Sequence, residues 1–389
     1  MRTALLLERF DTMRGGAEVY TARLAEALLA KGHSVDVFCR EAGAGVSGVR
    51  VHEIAVAGGT RAGRIRKFAR ECAEATRGAG FDVVMGVGRT LGQDVLMPPG
   101  GMVSGARAGT LRSLTNPAEI IARKAGWMLG SAARATTAIE RKQFDAKGTT
   151  HFIINSKMVM RDLTKDYKID EKRVHLMYTG VDTRRFSPEA WAAGRTAARA
   201  GLGLTNEETA FLFVGHNFRL KGLEPLVEAC ARLATEGDDK FQLLVAGGGK
   251  REAFERRARA LKLDVRVKFL GAEPEMLRIY AAADVVVHPT FYDPLSNVTL
   301  EAWACGLPTI TSRYNGAWEL MTGDLAEYAI EEPADVQTLA ERMRQLMSGK
   351  RRATLGPRFR KLAEGHDMVD HCADVVKLFE QVKAEKERS

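Results

Sequence analysis

The sequence has 389 residues, a hydrophobic content of 45% and a formal net charge of +9. This length suits roughly two domains, and the apolar content excludes an intrinsically disordered protein. The five cysteines are scattered, without a CxxC pair or a Cys/His cluster, so neither a disulfide framework nor a zinc site is predicted. The positive charge favours anionic partners: nucleic acid, acidic lipid or phosphorylated metabolites.

The N-terminal segment predicts a soluble, cytoplasmic protein. Its apolar run, Ala4–Leu7, is too short for a signal peptide, and the acidic Glu8 follows at once. No segment approaches the ~20 apolar residues of a membrane-spanning helix. We therefore expect reduced thiols and a chain that at most lies peripherally on the inner face of the membrane.

Short apolar runs alternate with helical patterns along nearly the whole chain. The predicted strands are Thr3–Leu7, Ser34–Cys39, Val49–Val56, Asp82–Val87, His151–Asn155, Val174–Tyr178, Ala210–Val214, Gln242–Ala246, Val265–Leu270, Val285–His288 and Thr309–Thr311. The predicted helices include Glu18–Ala30, Leu223–Thr235 and Met276–Ala282. Apolar strands with little polar alternation are typical of parallel sheets covered on both faces, so the pattern predicts a doubly wound α/β architecture.

The polar stretch TGVDTRRFSP marks a predicted domain boundary, because a fresh set of strands begins after it. We expect an N-terminal Rossmann-like domain over residues 1–182 and a second over 183–366, facing each other across a cleft. Residues 367–389 are predicted to form a helix that packs back on the first domain. Ligands of such sheets lie beyond the carboxyl ends of the strands.

Three strand-to-helix segments are candidates for holding a phosphate. In the first, Gly15 and Gly16 precede an apolar-striped helix, and glycines let backbone approach a ligand at an anion-attracting helix N-terminus. Without GxGxxG spacing there, and with no GxxxxGK[ST] anywhere, dinucleotide-binding and P-loop interpretations are disfavoured. An ordinary loop remains the alternative.

The second candidate follows a strand that ends at Gly215. Arg219 and Lys221 come next, then Gly222 and a helix. A planar guanidinium and a point-charge ammonium at a strand's carboxyl end suit a diphosphate. The alternative is a solvated basic loop.

The third candidate is FYDPLSNVTLEAWACGLPTITSRYNGAWEL. Ser296 or Asn297 can cap a helix beginning near Val298, whose N–H groups would face a negative ligand. Glu301, expected in the first turn, could accept hydrogen bonds from the vicinal hydroxyls of a ribose, and Asp293 from those of a second sugar. Simple helix-dipole and turn roles are the alternatives.

These motifs together resemble the retaining glycosyltransferases of family 4, which have the GT-B fold. The resemblance covers nearly the whole chain, through GGAEVYTARLAEALLAKGHSVDVF, VGHNFRLKG, LLVAGGG and the long stretch that ends in NGAWEL. The second half is similar to bacterial enzymes that glycosylate lipopolysaccharide core or other cell-surface glycans.

The resemblance implies a donor site and a reaction. Arg219 and Lys221 would hold the diphosphate of a nucleotide sugar, favoured as a UDP-sugar, and Glu301 its ribose. Gly15, Gly16 and the backbone of Ser296, Asn297, Val298 and Thr299 would meet phosphate and sugar. A hexosyl group would move, with retention, to a hydroxyl of a glycan or lipid-linked acceptor.

Two departures from the family pattern bear on catalysis. Asp293 stands where Glu is commoner and is one methylene shorter. The first-domain loop that carries a His in many relatives reads GQDVLMPPGGMVSG here, which leaves Asp94 as the polar candidate. Since no Asp-x-Asp motif occurs, we expect no metal and no other cofactor, with Arg219, Lys221 and the helix start taking the metal's place.

A basic amphipathic stretch in the first domain suggests an anionic membrane surface as a further partner. Residues 100–150 place Trp127, Met128 and Leu129 among the cations Arg123, Lys124, Arg134, Arg141 and Lys142. A solvated outer helix is the alternative.

Two other functions fit parts of the sequence. A sugar-nucleotide 2-epimerase on the same fold would act on the donor alone, and the acidic pair with the Arg-x-Lys loop favours transfer over it. A nucleic-acid-binding protein is disfavoured, since the cations are spread along the chain without an aromatic-basic motif, so no nucleic-acid partner is expected.

Overall fold

The computed structural model describes residues 1–11, 15–56, 58–145 and 147–388. The chain divides into two compact units, one formed by Met1–Thr179 with Met368–Ser389 and the other by Gly180–Asp367. Residues 180–182, expected with the first domain, belong to the second. Each unit is built on its own parallel sheet.

The first unit contains a seven-stranded sheet in the order β5-β3-β1-β6-β7-β8-β9 and a separate β2-β4 pair. Its strands are β1 (Arg2–Leu7), β2 (Arg9–Phe10), β3 (Ser34–Cys39), β4 (Glu41–Ala42), β5 (Arg50–Glu53), β6 (Val83–Val87), β7 (Val95–Met97), β8 (His151–Ile154) and β9 (Val174–Leu176). Its first helices are α1 (Gly16–Ala30), α2 (Arg61–Thr76), α3 (Val103–Arg112), α4 (Pro117–Leu129), α5 (Ser131–Gln143) and α6 (Lys157–Asp166).

The second unit contains a six-stranded sheet in the order β12-β11-β10-β13-β14-β15. Its strands are β10 (Thr209–Val214), β11 (Phe241–Ala246), β12 (Val267–Gly271), β13 (Val285–His288), β14 (Thr309–Ser312) and β15 (Ala329–Ile330). Its helices are α7 (Pro188–Ala192), α8 (Arg195–Gly201), α9 (Leu223–Thr235), α10 (Glu252–Ala260), α11 (Met276–Ala282), α12 (Asn297–Ala304), α13 (Val336–Met347) and α14 (Gly349–Glu364).

The last helix, α15 (Met368–Arg388), returns to the first unit and packs along α1. Val375 and Phe379 lie fully buried in the core that α15 shares with α1 and the sheet. In the same interface the Nε2 atom of His371 lies 3.2 Å from the Tyr20 hydroxyl. This helix therefore completes the hydrophobic core of the first unit.

The central strands are buried because helices cover both sheet faces. Leu5 and Leu6 in β1 are both fully buried although their side chains point to opposite faces. Burying such a side chain contributes about 2 kcal/mol to folding. The predicted α/β fold class, with two parallel-sheet domains, is thereby confirmed, and every predicted strand overlaps an observed one.

The differences lie at sheet edges and in very short strands. The predicted strand over residues 49–56 is shortened to β5, which lies at the edge of its sheet with all four residues exposed. The three-residue β7 was not predicted, because Asp94 and Pro98 leave too short an apolar run between them. Within the described ranges, no helix combines the length and apolar character needed to cross a membrane.

Candidate functional site

Two loops of the second unit meet beyond the carboxyl ends of β10 and β13. Both strands are central and hydrogen-bonded to each other, so the loops that follow them emerge side by side. The first loop runs from Gly215 to Gly222, and the second from Pro289 to Ser296. Most of the residues predicted to bind a donor lie on these loops or on the helix after the second.

Backbone contacts hold the two loops together. The carbonyl oxygen of Leu220 accepts hydrogen bonds from the Phe291 N–H at 2.8 Å and the Thr290 hydroxyl at 3.1 Å. Gly222 has a φ of 84°, and a Cβ at this position would collide with the carbonyl oxygen of Pro289. Only glycine permits this close approach, which sets the start of α9 against the second loop.

An ion pair joins the two loops. The Nζ atom of Lys221 donates to Oδ2 of Asp293 at 2.6 Å. The same Oδ2 lies 3.2 Å from Nε2 of His288, the last residue of β13. The Asp293 side chain is 13% exposed and that of Lys221 22%, so the pair is largely shielded from water. The ammonium of Lys221 and the carboxylate of Asp293 are thus held in direct hydrogen-bonding contact.

The ion pair keeps Asp293 ionised. Burial alone would raise the pKa of Asp293, but the charge of Lys221 and the hydrogen bond from His288 hold that pKa well below its usual range. Burial, assisted by the charge of Lys221, lowers the pKa of His288. The site therefore pairs a carboxylate that favours its ionised form with an imidazole that favours its neutral form.

A buried asparagine fixes the start of α12. The side-chain carbonyl of Asn315 accepts from the N–H groups of Ser296 and Ala317, at 3.2 and 3.1 Å. Its amide donates to the hydroxyls of Thr299 and Thr311, at 2.9 and 2.8 Å. All four hydrogen bonds of this fully buried side chain are used, so the N-terminus of α12 is held rigidly against β14.

The cap of α12 is Ser296, whose hydroxyl accepts from the Thr299 N–H. The helix begins at Asn297, one residue earlier than Val298, and its first turn contains no acidic residue. The expectation that Glu301 lies in the first turn was therefore wrong. As the fifth helical residue it lies beyond that turn, where compensation of the helix dipole no longer explains it.

Glu301 is paired with a buried tyrosine. The hydroxyl of Tyr280, from α11, donates to Oε2 of Glu301 at 2.7 Å. Burial raises the pKa of Glu301 to about 7, against the opposing effects of the Tyr280 hydrogen bond and the charge of Arg185. The hydrogen bond holds the carboxyl group in a fixed orientation. Burial makes its ionisation energetically unfavourable.

Arg219 lies on the first loop, two residues before Lys221, and is exposed. It is a second cation on the loop that contains Lys221. Gly215 lies directly behind Lys221, since a Cβ there would come within 3.2 Å of the Lys221 Cγ atom. The expected Arg-x-Lys loop is thus present in the structure.

Gly15 and Gly16 lie in the first unit, at the N-terminus of α1. Gly15 precedes the helix with a φ of 66° and Gly16 is its first residue, and both are exposed. A Cβ at Gly15 would collide with the carboxylate of Glu18 in the first turn. Arg14, which opens this motif, is outside the described residues.

Asp94 does not occupy a place that favours catalysis. It precedes β7, at the amino end of a parallel sheet whose ligands would lie at the carboxyl ends. Its carboxylate accepts from the Val84 N–H at 2.8 Å and from Nζ of Lys386 at 2.9 Å. These hydrogen bonds join the residue before β7 to β6 and to α15. The position of Asp94 therefore argues for a structural role instead of the expected catalytic one.

Three residues of this site were not singled out from the sequence: His288, Tyr280 and Asn315. Each is buried and lies in or beside an apolar run, as core residues do. A signal was present only for Asn315, in the turn-forming pair Asn315-Gly316. Over residues 1–11, 15–56, 58–145 and 147–388, no group of three His, Cys, Asp or Glu side chains is arranged to hold a metal ion.

Comparisons with known proteins identify both halves of the chain. Residues 14–185 match the family described as Glycosyltransferase Family 4, and residues 194–362 match Glycosyl transferases group 1. Lipopolysaccharide glucosyltransferase WaaG of Escherichia coli (strain K12) is 27% identical over 233 residues, 59% of this chain and 62% of that protein. D-inositol 3-phosphate glycosyltransferase of Mycobacterium sp. (strain KMS) is 32% identical over 172 residues, 42% of this chain and 37% of that protein. The matched part thus spans less than two thirds of these curated relatives.

Solved structures resemble the whole chain in fold. A crystal structure of WaaG, a glycosyltransferase involved in lipopolysaccharide biosynthesis, has a TM-score of 0.80 at 23% identity, covering 97% of this chain and 99% of that one. Anabaena HepE in complex with UDP-glucose has a TM-score of 0.72 at 16% identity, covering 98% and 100%. Since the two family matches together run from residue 14 to residue 362 with only a short gap, the chain consists of a Glycosyltransferase Family 4 domain followed by a Glycosyl transferases group 1 domain, and it has the GT-B fold that its motifs predicted.

Proposed function

We propose that this chain is a retaining, metal-independent hexosyltransferase. It transfers a hexosyl group from a nucleotide diphosphate sugar, favoured as a UDP-sugar, to a hydroxyl of a glycan or lipid-linked acceptor. The observation that carries the proposal is the Lys221–Asp293 ion pair beside the rigid start of α12, at the carboxyl ends of central parallel strands. Likeness to WaaG and to HepE with UDP-glucose supports the lipopolysaccharide context and the uridine donor.

The cations supply what the leaving group requires. As the bond between the sugar C1 and the phosphate oxygen breaks, negative charge grows on the nucleoside diphosphate. Lys221 and Arg219, on one loop, and the N–H groups at the start of α12 are preorganised to stabilise this charge. A divalent metal would have the same electrostatic role, which is why the proposal omits one.

The two carboxylates would orient the donor. In the described part of the chain, both hydrogen bonds to the Asp293 carboxylate fall on Oδ2, which leaves Oδ1 for a hydroxyl of the donor sugar. Glu301, held by Tyr280 through Oε2, would accept from the ribose hydroxyls through Oε1.

Retention would follow from attack on the same face of the sugar that the phosphate leaves. The acceptor oxygen bonds to C1 while the C1–O bond to the diphosphate breaks, and the departing phosphate oxygen takes the acceptor's proton. This step needs no protein nucleophile. Exclusion of water by the protein around the donor would suppress hydrolysis.

The acceptor side would lie at the cytoplasmic face of a membrane. None of the residues of α4 is buried, and Ile121, Met128 and Leu129 are 68%, 74% and 76% exposed. Arg123 and Lys124 lie on the same helix and are exposed. An apolar helix surface with adjacent cations complements an anionic lipid surface, where a lipid-linked acceptor would be found.

Titration calorimetry with UDP, GDP and ADP in EDTA tests the donor site. We expect micromolar binding of UDP to the wild-type protein and a loss of tenfold or more in Lys221→Ala, because a charge-assisted contact to the diphosphate is removed. Lys240→Ala, another exposed cation of the second unit, is the matched control and should bind UDP normally. An absolute requirement for Mg²⁺ or Mn²⁺, or equal binding by Lys221→Ala, would contradict the proposal.

Glu301→Gln should change stability and binding in opposite directions. Because the folded-state pKa is about 7 and the unfolded value is near 4.5, stability falls as the pH rises from 4.5 through 7. At pH 8 the variant should therefore melt about 2–4 °C above wild type, with the difference vanishing near pH 4.5. Its affinity for UDP at pH 8 should fall about tenfold, because the ribose loses a charged acceptor.

Thermal unfolding between pH 4.5 and 8, together with UDP titration at pH 8, measures both effects. Glu341→Gln, on the exposed face of α13, is the control for a neutralised carboxylate and should alter neither. A Glu301→Gln protein that is less stable than wild type at pH 8, or binds UDP equally well, would remove Glu301 from the ribose site.

Vesicle flotation tests the membrane surface. Wild-type protein should float with vesicles containing phosphatidylglycerol and remain unbound with phosphatidylcholine alone. A variant with Ile121→Glu, Met128→Glu and Leu129→Glu should lose flotation while binding UDP normally. Val265→Glu is the matched control, since Val265 is 70% exposed on the second unit. Absence of flotation with anionic vesicles would refute the membrane proposal.

A further inference from the structure

The last residue of β13, His288, is a buried polar residue whose role the proposed function does not yet include. Its side chain is 1% exposed, and its ring lies nearly parallel to that of Phe213, with 6.1 Å between the centroids. Its Nε2 atom lies 3.2 Å from Oδ2 of Asp293. Its Nδ1 atom is buried and, in the described part of the chain, has no hydrogen-bond partner.

These contacts determine the protonation state of the imidazole. An ionised Asp293 needs a donor, so Nε2 carries the hydrogen. A second hydrogen on Nδ1 would be buried without an acceptor, which is costly. Lys221, whose ammonium contacts the same Oδ2, would also repel an imidazolium. Of the charged groups on the loops packed against this ring, Asp293 acts to raise the pKa of His288, but burial and the charge of Lys221 outweigh it and lower that pKa.

The neutral ring has a consequence for the carboxylate that it contacts. Lys221 and His288 approach the same oxygen of Asp293 from two different elements, the loop after β10 and the end of β13. Two donors on Oδ2 fix the rotation of the carboxylate and leave Oδ1 turned away from both. A flexible lysine alone would allow the carboxylate to rotate, because its ammonium can follow either oxygen.

We propose that His288 is a positioning residue that aims Oδ1 of Asp293 at a hydroxyl of the donor sugar. The inference rests on the proposed function and adds a determinant of sugar binding to it. His288 touches no substrate itself and acts through Asp293. It compensates for the shorter Asp side chain at this position, since the hydrogen bond at Oδ2 supports the carboxylate from the side of the sheet.

The proposal separates the sugar from the nucleotide. A ligand with the hexose, such as UDP-glucose, uses Oδ1 of Asp293, whereas UDP alone does not. Loss of the His288 hydrogen bond should therefore weaken UDP-glucose selectively. General damage to the second unit would weaken both ligands together, which makes the ratio of the two affinities the informative quantity.

Two amide substitutions provide a matched pair. In His288→Gln the side-chain nitrogen reaches about as far as Nε2 and can still donate to Asp293. In His288→Asn the amide ends near the position of Nδ1 and cannot. Phe213→Leu, which disturbs the packing of the ring but keeps the hydrogen bond, is the control for core damage. If His288→Asn does not fold, as judged by circular dichroism, His288→Leu replaces it, having similar volume and no donor.

The experiment is calorimetric titration of the full chain with UDP and with UDP-glucose in EDTA at pH 6, 7 and 8. We expect His288→Asn to lose about tenfold in UDP-glucose affinity and less than twofold for UDP, and His288→Gln to remain within about threefold of wild type for both. Because burial and the charge of Lys221 lower the pKa of His288, the ratio of the wild-type and His288→Gln affinities for UDP-glucose should not change between pH 6 and 8.

Several results would overturn the inference. Equal loss for both ligands in His288→Asn and His288→Gln would indicate a merely structural residue. Wild-type affinities in His288→Asn would mean that the hydrogen bond does not position Asp293. In both cases wild-type binding of UDP leaves the proposed function intact, whereas failure of the wild-type protein to bind either ligand would contradict the proposed function as well.

Discussion

The ion pair between Lys221 and Asp293 is the interaction on which the candidate site depends. It joins the loops after β10 and β13 and places opposite charges where a phosphate and a sugar hydroxyl would meet. A largely buried ion pair adds little net stability, because desolvation of both groups offsets their attraction. The pair is better explained by what it presents to a ligand. It holds both charges in place before a donor arrives, so that little reorganisation is needed on binding.

The surrounding fold holds the two residues of this ion pair close together. Parallel pairing of β10 with β13 brings the two loops together, and Gly222 allows their backbones to touch. Asn315 connects the start of α12 to β14 through hydrogen bonds with Ser296, Thr299 and Thr311, so the helix start cannot move independently of the sheet. Glu301 shows the cost of this arrangement, since its burial raises its pKa and makes ionisation of the carboxyl group less favourable.

Much of this architecture could be predicted from the sequence, because parallel strands buried on both faces leave long apolar runs. The helices α9 and α11 begin and end where their patterns predicted. The Arg-x-Lys loop and the acidic pair were also found, since charged residues interrupt an apolar background near glycine and proline. Shorter elements such as β7 were not predicted, because three apolar residues are too few to show a periodicity.

The remaining differences have a common physical origin. Asp94 was assigned to catalysis by its place in a loop, because the three-residue β7 that follows it was not predicted and the position of Asp94 at the amino end of a strand was therefore not recognised. His288 and Tyr280 are buried like core residues, and only three-dimensional contacts relate them to Asp293 and Glu301. The same limit applies to Glu301, whose helical turn depends on whether the helix begins at Asn297 or Val298. Polar residues that act through other residues leave no pattern in a single sequence.

The central claim is that Lys221 and Asp293 act on the donor as one unit. A double-mutant cycle with Lys221→Ala, Asp293→Ala and the double variant, read as UDP-glucose affinity, tests it most directly. We predict that the double variant binds UDP-glucose only slightly less tightly than the single variant with the lower affinity. Either single substitution already removes the ion pair. Losses that simply add would mean that the two residues contact the donor independently, and would contradict the account.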